Sequence, residues 1–418
     1  MEESWVGMRL IADLHLHSKY SGATSQRMNI AELVDFAKIK GLNVLGTGDA
    51  LHPKWISELR RELTYFDDGF YVSPKDEKIY FIIQTEVATI HQFNNKSRRI
   101  HHVIIMPSLE IAIQLSEAVK KYGDVESDVM ELDKLNMVFP AHAWTPWWSM
   151  LGAFSGVDHI RECYQDMVNN IYAIETGLSS DPPMNWRVSW LDNYTLLSFS
   201  DSHSPYPYRL GREAVVFNLS KPSYKEIIEA VKNKDPSRIM MSIEVPPEYG
   251  KYHWTGHRNC NFGPLDPGEA KKLNYKCPVC GRKLTKGVDD RVEELADRPR
   301  GYVPAKRIDY VHLIPLQELI ALSMGIEVDN ESKLNSSKIW SEYEKLIKAF
   351  GNEFRILLEV TEEEIEKVSG RKIAELISYM RQRKLKIIPG YDGVYGKLVT
   401  EDKPLEKTNK IRRLEDYF

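Results

Sequence analysis

The feature that most constrains this chain is a recurrence. Seven short β-branched or apolar runs between residues 8 and 200 each carry a metal-ligand type of side chain at or near one end. The runs are 8–13, 43–46, 80–85, 103–106, 137–141, 171–174 and 196–200, separated by amphipathic stretches such as 30–40 and 109–121. This is the pattern of βα units around a parallel sheet. In order, the run ends hold His15 and His17, Asp49, Glu86, His101 and His102, His142, Glu175, and Asp201 with His203. All but the fourth group follow their run. In a βα barrel the residues at strand C-termini converge on one face, so these scattered positions predict a single site.

Within Asp13-Leu14-His15-Leu16-His17 the two imidazoles share one face of an extended segment, because side chains alternate with period two. Ser200-Asp201-Ser202-His203 repeats the arrangement at the seventh run. A lone His-x-His pair is usually a surface or core feature; the full set points to metal, with imidazole and carboxylate donors that suit Zn²⁺, Mn²⁺ or Fe²⁺. A second cluster has a different character. His257-x2-Cys260 and Cys277-Pro-Val-Cys280 are two close pairs with the spacing of a closed, structural zinc site, and His253 is an alternative to His257 as fourth ligand. Cys163 stands alone and reads as a small buried apolar residue.

The strand-end motifs resemble the polymerase and histidinol phosphatase (PHP) superfamily, whose signature runs H-x-H, a T-D-H block, a glutamate, two separate histidines and D-x-H. The resemblance implies a distorted (β/α)7 barrel with two or three divalent ions (Zn, Mn, Fe or Mg). It places His15, His17, Glu86 and Asp201 on one ion, Glu86, His102 and His142 on a second, and His203 on a third, with Asp201, His142 and Glu86 as the catalytic core. His102 is preferred to His101 because it directly precedes the apolar run 103–106, although its neighbour fits almost as well. The T-D-H block reads Gly48-Asp49-Ala50 here, leaving Asp49 or His52 to replace the missing ligands. Such a cluster activates water and shields phosphoester oxygens.

About 170 residues follow this region, more than a small-molecule phosphatase needs. The expected organisation is an N-terminal extension (1–7), the metallophosphoesterase barrel (8–245), a zinc-binding module (246–300), an α-helical domain (301–400) and a tail (401–418). Helices are expected at 224–233, 308–325, 339–350 and 371–384, and Thr361-x-x-Glu364 has capping-box spacing. With 56 Lys+Arg against 60 Asp+Glu the net charge is -4, which excludes a globally basic nucleic-acid binder and makes any DNA surface regional. Arg371, Lys372, Arg381 and Lys384 around one helix, with Gly393 in the glycine-rich loop 390–396, form a candidate phosphate-tracking surface. Trp144 and Trp186, with the loop Gly177, Leu178, Ser179 and Ser180, form a candidate pocket for an extruded base.

Residues 8–395 as a whole resemble the endonuclease Q family, on the strings 13–21, 47–49, 140–144, 175–181, 200–203 and 390–396. The resemblance implies hydrolysis of the phosphodiester on the 5′ side of deaminated bases (uracil, hypoxanthine, xanthine) and abasic sites, leaving 3′-hydroxyl and 5′-phosphate ends. Damaged DNA is then the partner, and a monomer is expected. Leu414-x-x-Tyr417-Phe418 has the spacing of the motif that docks repair and replication enzymes on the sliding clamp PCNA, with Ile411 in place of the usual glutamine. Competing classes are a histidinol-phosphate type phosphatase and a DNA-binding protein with a vestigial site; activity on free phosphomonoesters selects the first and absence of metal the second. No apolar run is long enough to span a membrane and no leader pattern opens the chain, so a cytoplasmic, nucleoid-associated protein is expected.

Overall fold

The computed structural model describes residues 7–120, 136–328 and 331–399. Its strands are β1 (Met8–Asp13), β2 (Val44–Gly46), β3 (Thr64–Asp67), β4 (Phe70–Ser73), β5 (Asp76–Phe93), β6 (Lys96–Met106), β7 (Met137–Pro140), β8 (Ala173–Glu175), β9 (Thr195–Leu197), β10 (Ala214–Leu219), β11 (Ile239–Glu244), β12 (Thr255–His257), β13 (Phe262–Leu265), β14 (Asp309–His312), β15 (Lys386–Ile388) and β16 (Lys397–Val399). Ten of them form one mixed sheet, ordered β14-β11-β10-β1-β2-β5-β4-β3, with β6 against β5 and β7 against β6; β8 and β9 make a separate parallel pair. Backbone bonds beyond the strand ends link the two sheets. Ala143 N–H donates to the Glu175 carbonyl at 2.9 Å, and His17 N–H to the Ser202 carbonyl at 3.1 Å.

Each of the seven expected runs overlaps one of β1, β2, β5, β6, β7, β8 and β9. The sheet is not all-parallel, however, because β6 runs antiparallel to both β5 and β7. That reversal explains why the fourth ligand group precedes its run: the beginning of 103–106 lies at the same end of the sheet as the ends of its neighbours. Leu10, Ala12 and Leu14 belong to one apolar cluster and Ile11 and Leu16 to the other, as expected for a sheet covered on both faces.

Two expectations about segmentation are corrected. The stretch 308–325 is not one helix: Asp309-Tyr-Val-His forms β14, which pairs in parallel with β11, and the helix Leu316–Ser323 starts only after Pro315. Tyr and Val favour the extended form, and Pro315 restricts the residue before it to extended backbone. The large sheet therefore takes a strand from beyond the zinc module, so the boundaries at 245 and 301 do not separate it cleanly. Conversely, the hairpin β15–β16 lies outside the helices, and its loop docks on the 248–256 segment through Trp254 N–H to Gly390 O and Gly396 N–H to Tyr249 O.

The helical region comprises Leu316–Ser323, Ser337–Phe350, Glu353–Leu358, Glu362–Ser369 and Arg371–Arg381. Its turns follow from sequence. Asn352 accepts Arg355 N–H at 2.9 Å to start one helix, and Thr361 and Glu364 form the expected capping box. It is joined to the sheet region by a buried ion pair, Lys40 Nζ to Glu353 Oε1 at 2.8 Å.

Candidate metal centre

β1, β5, β6 and the segments after β7 and β9 bring their ligand-type residues to one place, with Glu86 at its hub. Glu86 Oε1 lies 2.8 Å from His101 Nδ1, 3.3 Å from His142 Nε2 and 3.6 Å from His15 Nε2, and its Oε2 is 3.6 Å from His17 Nε2. Asp201 Oδ1 lies 3.1 Å from His17 Nε2, 3.7 Å from His15 Nε2 and 3.7 Å from His203 Nδ1. Three groups therefore gather: His15, His17 and Glu86; His17, Asp201 and His203; and Glu86, His101 and His142. Metal–ligand bonds of about 2.0–2.2 Å in a tetrahedral shell place neighbouring donors roughly 3.3–3.6 Å apart, close to most of these separations. His15 Nε2, fully buried and aimed at both carboxylates, has no hydrogen-bond partner. The residues fit a divalent ion.

A second ring of groups holds these donors in place. Glu175, fully buried at the end of β8, meets His15 Nδ1 with both oxygens at 3.0 Å and accepts the His142 N–H at 2.7 Å. Asp49 Oδ1 lies 3.2 Å from His17 Nδ1 and its other oxygen accepts Ser18 N–H at 2.6 Å. The Ser149 hydroxyl is 2.9 Å from His142 Nδ1. In each case the ring nitrogen facing away from the cluster is fixed and the Nε2 is presented inward, the usual support of a metal-bound imidazole. Asp49, His142 and Asp201 all have positive φ (40°, 31° and 47°), which turns their side chains sharply at the strand ends. Such backbone is costly for non-glycine residues and clusters at functional sites.

The charges are interlocked. Burial opposes charging of His15, but Glu175, then Glu86 and Asp201, raise it well above the ordinary imidazole value. His17, likewise opposed by burial, is pushed up to about 10 by Asp201 and Asp49. Burial would raise Glu86, yet hydrogen bonds from His101 and His142 and the charge of nearby His15 hold it well below the usual carboxylate range. The cluster carries several negative oxygens that imidazolium protons compensate, and cations would do the same. Glu175→Gln is accordingly expected to lower metal affinity roughly 10- to 100-fold by releasing His15; unchanged affinity in a metal titration would show that Glu175 does not orient it.

Several sequence-based assignments are corrected. His102 faces away from Glu86: its Nδ1 bonds the Tyr164 hydroxyl at 2.7 Å and its Nε2 the Thr89 hydroxyl at 2.8 Å, and burial pushes it down to about 3. His101 takes the position assigned to it. Asp49 stands behind His17 rather than among the inward-facing donors, and His52 stacks on Tyr20 at 4.7 Å. Trp144 is fully buried with its Nε1–H on Asn185 Oδ1, and Trp186 is buried against Tyr310, so neither offers a face for stacking. Gly177 packs so closely on His142 that a Cβ would lie 2.7 Å from the His142 Cβ. Ser179 is buried, Leu178 half-buried, and the Ser180 hydroxyl is engaged with Thr176 O and Asn185.

On the expected phosphate-tracking surface, Arg381 instead donates to the carbonyls of Ile356 and Leu357 at 2.7 and 2.8 Å, closing the end of a neighbouring helix. Arg371 pairs with Glu375 yet stands exposed, as do Lys372 and Lys384, while the Gly393 N–H is held by Lys251 O. The zinc-type group assembles as His257, Cys260, Cys277 and Cys280. His257, not His253, is the histidine in it, with its Nδ1 3.5 Å from Cys280 Sγ. Leu414, Tyr417 and Phe418 lie outside the described residues.

Fold and site together define a mixed α/β protein with a multi-histidine, carboxylate-bridged cluster at strand ends, a separate Cys3His group and a helical appendage. Residues 315–384 match the family model of the MJ0043 C-terminal domain. The chain is 34% identical over 270 residues to protein MJ0043 of Methanocaldococcus jannaschii, covering 63% of this chain but only 32% of that one; it thus spans about a third of that relative's length. It is 30% identical to YqxK of Bacillus subtilis, covering 93% of this chain and 99% of YqxK. A solved structure of the lesion-specific endonuclease PfuEndoQ from Pyrococcus furiosus superposes with a TM-score of 0.80 at 32% identity, covering 97% of this chain and all of that one. A solved endonuclease Q complex with a 27-mer duplex bearing an abasic lesion at the active site gives 0.82 at 32% identity, covering 96% and 100%. The chain belongs to the endonuclease Q family.

Proposed function

We propose that this protein is a DNA repair endonuclease that hydrolyses the phosphodiester 5′ of deaminated bases (uracil, hypoxanthine, xanthine) and abasic sites, leaving 3′-hydroxyl and 5′-phosphate ends. The observation that carries this reading is the full-length likeness to an endonuclease Q solved with an abasic duplex in its active site. The distorted (β/α)7 barrel enters on the same footing, supported by the seven strands and the two backbone links that join their ends.

In this reading His15, His17, Glu86 and Asp201 hold one ion and Glu86, His101 and His142 a second, while His203 with Asp201 and His17 marks a third position. When bound, such ions (Zn, Mn, Fe or Mg) lower the pKa of water and neutralise phosphate oxygens. The protein's own part is to fix the donors: Glu175, Asp49 and Ser149 lock three imidazoles, and Gly177 lets the loop after β8 pass against His142. A labelled duplex with uracil, hypoxanthine or an abasic site should be cut once, at the lesion, with an extendable 3′ end. Equal cutting of undamaged duplex, or hydrolysis of phosphomonoesters alone, would overturn the proposal.

The Cys3His group serves a structural zinc. Its surroundings have a core of only Phe262, Leu265, Ala270, Cys277 and Leu284, too little to stand unaided. Cys277→Ser should lose one zinc, lower the melting temperature and weaken DNA binding while the strand-end ions remain; full stability with loss of turnover alone would make this group catalytic. The tail, through Leu414, Tyr417 and Phe418, docks on the sliding clamp. Deleting 414–418 should abolish clamp pull-down and leave cutting of short oligonucleotides intact. The enzyme acts as a monomer in the cytoplasm on nucleoid DNA, and among the described residues no helix is long and apolar enough to cross a membrane.

A further inference from the structure

The loop after β7 presents large aromatic faces to solvent beside the metal centre. Trp147 and Phe154 are 40% and 44% exposed and stack on each other with ring centroids 5.1 Å apart. Single exposed aromatics are ordinary, but a stacked exposed pair on a rigid loop is not. The loop is rigid: Leu151 N–H donates to Ala143 O and Val157 N–H to Met150 O, both at 2.7 Å, and Arg291 donates to the carbonyls of Leu151 and Val157. Gly152 passes so near the Thr145 carbonyl that a Cβ would lie 2.3 Å from it.

Three consecutive residues tie this surface to the catalytic cluster. Trp147 faces outward. Trp148 has its ring 5.2 Å from that of His101, and its carbonyl accepts the His101 N–H at 3.0 Å. Ser149 holds His142. The aromatic faces are therefore in fixed register with the hub Glu86. A cationic group lies at their edge: exposed Arg99 sits 5.4 Å from the Trp148 ring, while Tyr252 meets Trp147 edge-on at 5.6 Å. Flat apolar faces with a cation at their edge, next to a site for a phosphodiester, match an unstacked nucleobase on its polyanionic strand.

We propose that the Trp147–Phe154 stack is a shelf for one unstacked nucleobase next to the phosphodiester held at the Glu86 cluster, with Arg99 meeting an adjoining phosphate. This deepens the DNA endonuclease reading and rests on it. Stacking accepts any base, so the shelf supports opening of the duplex whatever the lesion, and the reading of lesion identity falls to other groups.

The test uses the metal-loaded, full-length protein and a duplex with 2-aminopurine beside an abasic site, its 5′ linkage replaced by a hydrolysis-resistant methylphosphonate. Wild type should bind and quench the 2-aminopurine. The Trp147→Ala/Phe154→Ala variant should bind roughly 5- to 150-fold more weakly and lose the quenching, as loss of base–aromatic stacking does. Trp147→Phe, which keeps an aromatic face, should retain the quenching, and metal content should be equal in all three, showing that the centre and fold are intact. If the double variant does not fold, Trp147→Ser alone is read in the same way. Unchanged affinity and quenching in the alanine variant would overturn the shelf alone, whereas wild type that binds no duplex would overturn the DNA reading with it.

Discussion

Glu86→Gln is expected to reduce lesion cleavage by about 10³-fold or more, with loss of strand-end metal and little loss of fold. Among the described residues the carboxylate is the one group that approaches all of His101, His142, His15 and His17, with contacts from 2.8 to 3.6 Å. Glutamine keeps the shape but offers one neutral oxygen, and its amide would turn an N–H toward imidazole nitrogens. In the proposed arrangement two ions could not then share the position. Metal stabilisation of phosphoryl chemistry amounts to several kcal/mol, and each 1.4 kcal/mol is about tenfold in rate. The check is a single-turnover rate on an abasic duplex together with elemental analysis. A variant within tenfold of wild type that keeps its metals would remove Glu86 from the hub.

The second large effect concerns the joint between sheet and helices. Glu353, with no exposure, receives the Lys40 ammonium at 2.8 Å, the Tyr343 hydroxyl at 2.9 Å and the Leu316 N–H at 3.1 Å, and Lys40 also donates to Pro207 O at 2.7 Å. Each charge is satisfied only by the other elements. Removing one partner of a buried pair leaves the other uncompensated, which costs roughly 3–5 kcal/mol. Lys40→Ala or Glu353→Ala should each destabilise by about that much in urea unfolding. Lys40→Met with Glu353→Leu should cost less than the two single changes together, because the pair's desolvation cost is removed with it. A loss under about 1 kcal/mol in both single variants would mean that the joint is held by its apolar contacts instead.

Position along strands was legible in the sequence; register between strands was not. His15, His17, Glu86, His142, Asp201 and His203 all announced themselves by ending a β-branched or apolar run, and the structure brings all six together. The choice between His101 and His102 failed because adjacency to an apolar run does not fix which face a residue occupies. In the β5–β6 hairpin Val103 lies opposite Glu86, so His101, two residues away, shares Glu86's face and His102 takes the other. Counting back from the Asn94–Asn95 turn, where Phe93 faces Lys96, would have given this register. Glu175 stood in the right place at the end of its run, yet its role as a support of His15 depends on depth, which period-two patterning does not encode. Arg381 shows the same limit: a basic residue at a helix end looks like a phosphate contact until the carbonyls of Ile356 and Leu357 are seen beside it. Trp144 and Trp147 lie three residues apart in one tryptophan-rich stretch, and only packing separates a core ring from an exposed one.

The most direct test of the central claim, that the Glu86 cluster is a metal centre that cuts DNA at lesions, is the cleavage rate of one labelled abasic duplex before and after removal of the strand-end metals. Protein treated with chelator, any metal of the Cys3His group verified as retained, should cut about 10³-fold more slowly or not at all. Returning a divalent ion (Zn, Mn, Fe or Mg) should restore a single cut on the 5′ side of the lesion. Undiminished cutting at the lesion by protein shown to hold no metal at the strand ends would contradict the account.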